Sequence, residues 1–408
     1  MGIAGRFSGL LGVVALLGIA LALSRHRRRI PWRTVLWGLG LQLVFAVLIL
    51  RTRPGEVVFA AARDAFTRLI GFTAEGSEFL FGQWAGELVA FQMLPVLIFF
   101  ASLMGILYHL GVMQRVVAAM AWVMRRTMGL SGAESLSAAG NVFVGMTEAP
   151  LMIRPYVRGL TDSELMAVMT GGLATIAGSV LAMYASFGID AGHLLCASVM
   201  SAPAALVVAK IMIPETEESE TAGRVRVHRE RTTRNVIDAA AAGASDGLRL
   251  ALNVGAMLIA FLALLALVNY LLGQAHAGCA RWLGWEGFPA SLQEVFGFVF
   301  RPLAFAMGVP WDEAATVGSL MGIKISANEF IAYQQLVEAK AQLSARSTII
   351  ATYALCGFAN FGSVGILIGG LGGIAPERRP DLSQLALRAL AGGAIASFLT
   401  ASIAGILL

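Results

Sequence analysis

The sequence predicts an all-α polytopic membrane protein with eight transmembrane helices and two interrupted segments set among them. Three observations lead there. Of the 408 residues, 57% are hydrophobic and only 13% charged, about half the charge of a soluble domain, and the mean hydropathy is +0.75. Several apolar runs reach the roughly 20 residues that a helix needs to cross a hydrocarbon core. Inside lipid the backbone must satisfy itself, which leaves helices or closed barrels, and runs such as "LLGVVALLGIALAL" and "LLALVNYLL" lack the alternation of barrel strands.

The first apolar run, around Leu10 to Leu23, carries its positive charge behind it in "SRHRRRIPWR". A signal peptide has that charge in front. The cluster should therefore stay in the cytoplasm, with the N-terminus outside. Spans are expected near 8–24, 33–51, 88–110, 164–188, 191–213, 248–272, 347–373 and 384–408. The segments near 132–156 and 311–334 are apolar but broken by polar residues. If each enters and leaves on one side, the eight full spans return the C-terminus outside. Arg25 to Arg33, Arg115, Arg125, Arg126, Arg154, Arg158, the 214–236 loop, Arg378 and Arg379 are then cytoplasmic. Arg51, Arg53, Arg63 and Arg68 fall outside, against the charge rule. Counting either broken segment as a full crossing would flip every later loop.

On this reading the net charge of +5 belongs to cytoplasmic loops and not to a nucleic-acid surface. Cys196, Cys279 and Cys356 form no CxxC and are expected to pack rather than to bind metal or pair. The polar stretch "ETEESETAGRVRVHRERTTRN", Glu215 to Asn235, is expected to be a mobile cytoplasmic linker between two halves.

Those halves resemble each other. The segment holding "TEAPLM" precedes a span with "GGLATIAGSV", and the one holding "NEFIAY" precedes a span with "CGFANFGSVG". Matching Glu148 to Glu329 also matches Thr175 to Asn360. An odd number of crossings between them makes the repeat inverted, an arrangement that secondary transporters build around a site near the midplane.

Two capping boxes frame the first broken segment, Ser131 with Glu134 and Thr161 with Glu164. Between them Gly145 permits a turn and Pro150 can start a returning helix, which makes a re-entrant hairpin; the alternative is an ordinary kinked helix. A hairpin tip at membrane depth leaves N–H groups free for a polar ligand. Glu148 and Glu329 are functional by default as intramembrane carboxylates. Their alternatives are a structural ion pair or a protonated carboxyl, and Lys324 offers a partner within the second segment. Asn141, Thr175 and carbonyls of an unwound "ATIAG" could make an oxygen cage for sodium or serve as helix–helix glue. Enzyme signals are poor. "GASDG" at 243–247 opens an apolar helix instead of leaving a strand. "GGLGGIA" at 369–375 has no βαβ unit around it, and none of the five histidines begins HExxH.

"NVFVGMTEAP", "GGLATIAGSV", "ANEF", "CGFANFGSV" and "NVIDAAAAGASDGLRLALNVGAMLIAF" resemble the signature segments of the concentrative nucleoside transporter family. The resemblance covers nearly the whole chain. It implies a homotrimer in a bacterial inner membrane, with interfacial helices; the charge pattern and span count above put both termini in the periplasm. Import of nucleosides would be driven by sodium, or in some members by protons, through an elevator-like movement. It divides the chain into N-terminal scaffold helices (1–110), a first transport repeat (111–213), a linker (214–247), a trimerisation span (248–275) and a second transport repeat (276–408).

Carried over by motif, Gly145, Met146, Thr147 and Glu148 should face the nucleobase. Val180 and Phe358 should line the pocket, and Leu258 should touch the base. Glu329, Asn360 and Ser363 should hold the ribose hydroxyls. Asn141, Thr175 and the carbonyls of Val144 and Ile176 resemble the sodium site. Many members have Gln where this chain has Met146, and a thioether cannot donate to a base edge. Ribose recognition should survive this change while base selectivity loosens. The alternatives are a proton-coupled carrier with Glu148 titrating and, more remotely, an intramembrane enzyme using Glu148 and Glu329 as acid and base. The expected partners are a nucleoside, sodium, lipid and two further copies of the chain, with no nucleic acid.

Overall fold

The computed structural model describes residues 3–85, 89–222, 233–285 and 287–408, and among them all regular structure is helical. Two apolar helices come first, α1 (Ile3–Ala22) and α2 (Trp32–Arg51). Amphipathic α3 (Arg53–Phe81) follows, capped by the Thr52 hydroxyl, which accepts from the Gly55 N–H. Then comes α4 (Val89–His109).

The first repeat consists of α5 (Val112–Met128), α6 (Gly132–Asn141), a 3₁₀ segment (Ala149–Gly159), α7 (Asp162–Ala174), α8 (Gly178–Ser186) and α9 (Ala191–Met212). The 48-residue α10 (Val236–Leu283) leads to the second repeat. That repeat has the same order: α11 (Leu292–Ala306), α12 (Ala314–Ser326), α13 (Glu329–Ala339), α14 (Ala345–Leu355), α15 (Phe361–Ile374) and α16 (Arg379–Leu407).

Both expected capping boxes form, at Ser131 and at Thr161. The unwound "ATIAG" is present as well, since α7 stops at Ala174 and α8 begins at Gly178. Two expectations need correction. The span expected at 347–373 is broken like its counterpart: Gly357 takes φ +135, and Asn360 caps a new helix by accepting from the Ser363 N–H. The span expected at 248–272 is the middle of α10, because the alanine-rich residues before it continue the helix. Counting α7–α8 as one, five helices among the described residues are long and apolar enough to cross a membrane. Of the other expected spans, α1 runs over 20 residues, α14–α15 is broken at Gly357, and α4 bends by 77° into α5.

Polar contacts sort the loops onto two faces. Arg25 pairs with Asp162 at 2.8 Å, its backbone N–H reaches the Met212 carbonyl, Arg158 pairs with Glu377, and Arg378 donates to the Leu160 carbonyl. At the other end of α9, Arg63 lies 3.8 Å from Asp190. Arg51 meets the Leu407 carbonyl there, and Arg346 donates to the carbonyls of Gly308 and Gly405. Hence α6 and the 3₁₀ segment open on the first face, α12 and α13 on the second, as an inverted repeat requires.

The first residues of the expected mobile linker are docked. Ser219 and Thr221 both donate to the Glu164 carboxylate at 2.5 Å. The Thr221 carbonyl accepts from Gly132 N–H at 2.9 Å, and Glu215 accepts from the Thr161 hydroxyl at 2.8 Å. Beneath them the buried Lys210 pairs with Glu134 at 2.7 Å. Burying these charges is tolerable only because they are paired and bonded, and the strap from 214 to 222 supplies many of the bonds. Residues 223–232 of that stretch lie outside the described residues.

"GASDG" also has a role its sequence did not reveal. A Cβ on Gly243 would stand 2.5 Å from the Ala101 carbonyl oxygen, and one on Gly247 would stand 2.8 Å from that of Leu97. One turn apart on α10, these glycines let it lie against the backbone of α4, as small residues do in membrane helix pairs.

Candidate functional site

The breaks in the two repeats cross. The Phe358 N–H donates to the Thr175 carbonyl at 3.3 Å, and a Cβ on Gly357 would come 2.8 Å from the Ala174 carbonyl oxygen. A cavity of about 510 Å³ opens beside the crossing, within the usual range of roughly 300–1,000 Å³ for small-molecule sites.

The first hairpin supplies one wall. After Asn141 the chain leaves the helix and turns, with the N–H groups of Glu148 and Ala149 both reaching the Gly145 carbonyl at 3.1 Å. A side chain at 145 would displace the Glu148 carboxylate from its present position beside the turn. The tip is fastened to the first break by Gly178 N–H donating to the Phe143 carbonyl at 3.0 Å. Pro150 does begin the returning stretch, but that stretch is 3₁₀ over its length. Pro155 lies inside it and removes one of the N–H groups that an α-helix would use. Glu148 is exposed to the cavity, whereas Met146 is 7% exposed and packs where a side chain on Gly172 would otherwise stand.

The second hairpin supplies the opposite wall. Asn328 caps α13 by accepting from the Ile331 N–H, which leaves Glu329 as its first residue, at the positive end of the helix. The Glu329 carboxylate accepts from Tyr184 Oη at 2.9 Å and from Asn360 Nδ2 at 2.8 Å. Asn360 Oδ1 in turn accepts from the Ser363 N–H at 2.8 Å. The amide of Asn360 is thus oriented from both ends, and all of this is buried.

Nine of the ten residues expected to bind substrate line this cavity: Gly145, Met146, Thr147, Glu148, Val180, Glu329, Phe358, Asn360 and Ser363. Leu258 does not; α10 presents Leu250, Val254 and Met257 to the space instead. Among the residues expected to hold sodium, Val144 lines the cavity, and Asn141, Thr175 and Ile176 are buried behind the hairpin tip. The Thr175 hydroxyl donates to the Gly171 carbonyl at 2.9 Å, and Asn141 Nδ2 lies beside Gly171. Neither amide atom of Asn141 has a hydrogen-bond partner. A buried amide with both ends free is costly; a cation held by its oxygen would remove that cost at one end.

The pairing expected of Lys324 within its own segment is not what forms. Its ammonium donates at 2.9 Å to the carbonyl of Ala354, in the last turn of α14. Sequence reading also missed Tyr184, one helical turn beyond Val180, and Asp246, an isolated carboxylate in an otherwise apolar stretch of α10 that lines the cavity. The position of Asp246 inside "GASDG" was the available signal.

Two crossed broken helices around a largely apolar cavity with a few convergent polar groups, each entered by a hairpin from its own side, define a polytopic carrier. Profiles described as "Na+ dependent nucleoside transporter" match its N-terminal part over residues 11–84 and its C-terminal part over residues 193–405, and one described as "Nucleoside recognition" matches 90–191. The chain belongs to the Na+ dependent nucleoside transporter family, the concentrative nucleoside transporters. It is 46% identical over 417 residues to sodium/nucleoside cotransporter 1 of Rattus norvegicus, covering 97% of this chain and 63% of that one. The chain therefore spans just under two thirds of the length of that mammalian relative.

An uncharacterized transporter of Haemophilus influenzae is 44% identical, with 98% of this chain and 97% of that one covered. Among solved structures, CNTnw in an inward-facing substrate-bound state matches with a TM-score of 0.90 at 42% identity, over 98% of this chain and 97% of that one. A CNTnw variant in an outward-facing state matches at 0.92 and 40% identity, over 99% and 97%. These relatives are transporters, not enzymes.

Proposed function

We propose that the protein is a sodium-coupled nucleoside symporter of a bacterial inner membrane. The observation that carries this reading is one cavity walled by the Glu329–Asn360 pair, with the unbonded amide of Asn141 behind its other wall. A carboxylate and an amide held side by side suit the vicinal hydroxyls of ribose, which donate to one and pair with the other. Phe358 and Val180 give the base an apolar surface, with Leu250 and Met257 contributed by α10. Met146 replaces a hydrogen-bonding side chain with an adaptable thioether, so the base is read more by shape than by its polar edge.

Coupling follows from chain connectivity. The stretch from Asn141 to Glu148 has an ion ligand at one end and substrate-facing residues at the other, so sodium that fixes Asn141, the carbonyls of Val144 and Ile176, and Thr175 also fixes the hairpin tip. Each ligand then raises the affinity for the other by the same factor. The two repeats, 111–213 and 276–408, would move as the transport body against α4 and α10, with the linker joining the halves. The scaffold would trimerise through 248–275, where Ile259 and Tyr270 are exposed. Both termini would be periplasmic.

The test is uptake of labelled uridine into proteoliposomes at fixed pH, with an inward sodium gradient set against choline. Accumulation that needs sodium, and fails in Asn141→Ala and Glu329→Gln, is the expected result. Sodium-indifferent uptake that follows a pH gradient would replace sodium by protons, and recovery of chemically altered uridine would overturn transport altogether.

A further inference from the structure

Lys324 is fully buried, and the Glu329 carboxylate, whose charge reaches it, stays beyond ion-pairing distance. Its ammonium donates to one backbone carbonyl, that of Ala354, and faces the Phe398 ring at 5.6 Å. The carboxylate on its own segment, Glu329, is occupied by Tyr184 and Asn360. Among the described residues no carboxylate lies within ion-pairing distance of Lys324. An interior cation so poorly matched is expensive to bury.

Its location gives it a partner of another kind. Lys324 is in the last turn of α12, and Ala354 is in the last turn of α14, the first half of a broken span. The C-terminal end of a helix carries partial negative charge on carbonyls that have no intrahelical donor. The inverted repeat places another pair at the same station. There Asn141 ends α6 and lies against Gly171 in the last turn of α7, and α7 is likewise the first half of a broken span. In the first repeat the hairpin brings that helix end a neutral amide with both atoms unbonded. In the second it brings an ammonium already bonded to a carbonyl. Half-helix C-terminal ends in transporters are sites where sodium is coordinated.

We infer that Lys324 is a fixed cation that does in the second repeat what an exchangeable sodium ion does in the first. This rests on the sodium site proposed above. The transport body then holds two positive charges at its two broken spans, one of them covalently attached. Lys324 is a positioning residue: it neutralises the end of α14 and so steadies the break that carries Phe358 and Asn360. One sodium ion accompanies each nucleoside, because the Lys324 ammonium occupies the second cation position.

The experiment measures labelled sodium and labelled uridine together in proteoliposomes, for the unaltered protein and for Lys324→Arg, Lys324→Gln and Lys324→Asn. The unaltered protein and the Arg variant should move about one sodium per uridine with a Hill coefficient near 1. With the fixed charge removed, Gln and Asn should need a second ion, which raises the Hill coefficient toward about 2 and half-saturating sodium about tenfold. Gln and Asn variants that transport with an unchanged ratio and unchanged sodium dependence would overturn the inference. A ratio of about two ions per uridine in the unaltered protein would overturn it too, whether or not the variants fold. Uptake by the unaltered protein that ignores sodium would instead sink the sodium site on which the inference rests.

Discussion

The two hairpins hold their glutamates in opposite ways. Hairpin two returns as a regular α-helix, buries Glu329 at its start and commits both carboxylate oxygens to protein donors. Hairpin one returns as an 11-residue 3₁₀ stretch, leaves Glu148 exposed to the cavity and keeps the Asn141 amide unbonded. Runs of 3₁₀ that long are uncommon and mark strained or hinge-like segments. One wall is therefore bonded within the protein, and the other, on the function proposed above, is completed by its ligands. A finished wall suits ribose, which every nucleoside shares, because preorganisation lowers the cost of binding. An unfinished wall suits the proposed ion and the base, the part of a nucleoside that varies.

Breaking the finished wall should have the largest effect. Glu329→Ala removes the acceptor for Tyr184 and Asn360 and, on the function proposed, for the ribose, and should weaken uridine binding by about 3 kcal/mol, roughly a hundredfold, in calorimetry on detergent-solubilised protein. Asn141→Ala tests the other wall. Half-saturating sodium should rise about tenfold while uridine affinity at saturating sodium is nearly kept. A loss of uridine affinity that added sodium does not restore would place Asn141 in the ribose wall instead.

Tyr184→Phe removes one bond to a charged acceptor, about 1.5 kcal/mol or a little over tenfold in uridine affinity, with the sodium dependence unchanged. If sodium dependence shifts as well, the two walls are not independent. The smallest change should come from Met146→Gln. It should alter the ranking of uridine, cytidine and adenosine by a few-fold, about 1 kcal/mol, and leave 2′-deoxy discrimination where it was. An unchanged ranking would mean that position 146 does not read the base.

Much of this was legible in the sequence because it depends on local chemistry. The capping boxes need only a hydroxyl and a carboxylate three residues apart, and both form at Ser131 and Thr161. Gly145 and Pro150 marked where the turn and the return lie. Glu148, Glu329 and Asn360 stood out because polar groups are rare in such a chain. What stayed hidden depends on partners distant in sequence. Tyr184 looks like any aromatic residue in an apolar helix until its hydroxyl is found on a carboxylate 145 positions away. Lys324 was expected to find a partner nearby, but the carbonyl it bonds to is 30 residues on and exists only because a helix stops there. "GASDG" carries no enzyme signal, and its glycines serve close packing against α4, which only the fold reveals. The polar composition of 214–222 suggested mobility, and only the buried carboxylates beneath it show why it is held.

That docked strap sets the order in which the protein can be built. Its principal partners, Gly132, Thr161 and Glu164, all precede it in the chain, and synthesis runs from the N-terminus. The base of the first hairpin can therefore close as soon as Thr221 has left the ribosome, before any of the second repeat exists. By contrast, α16, which packs on α7 and α9, comes last. A chain cut after the strap should thus mature as a half with a closed base and one vacant groove. Co-expressed with a separately translated second half, it should reassemble a working carrier, whereas a cut ahead of the strap should not.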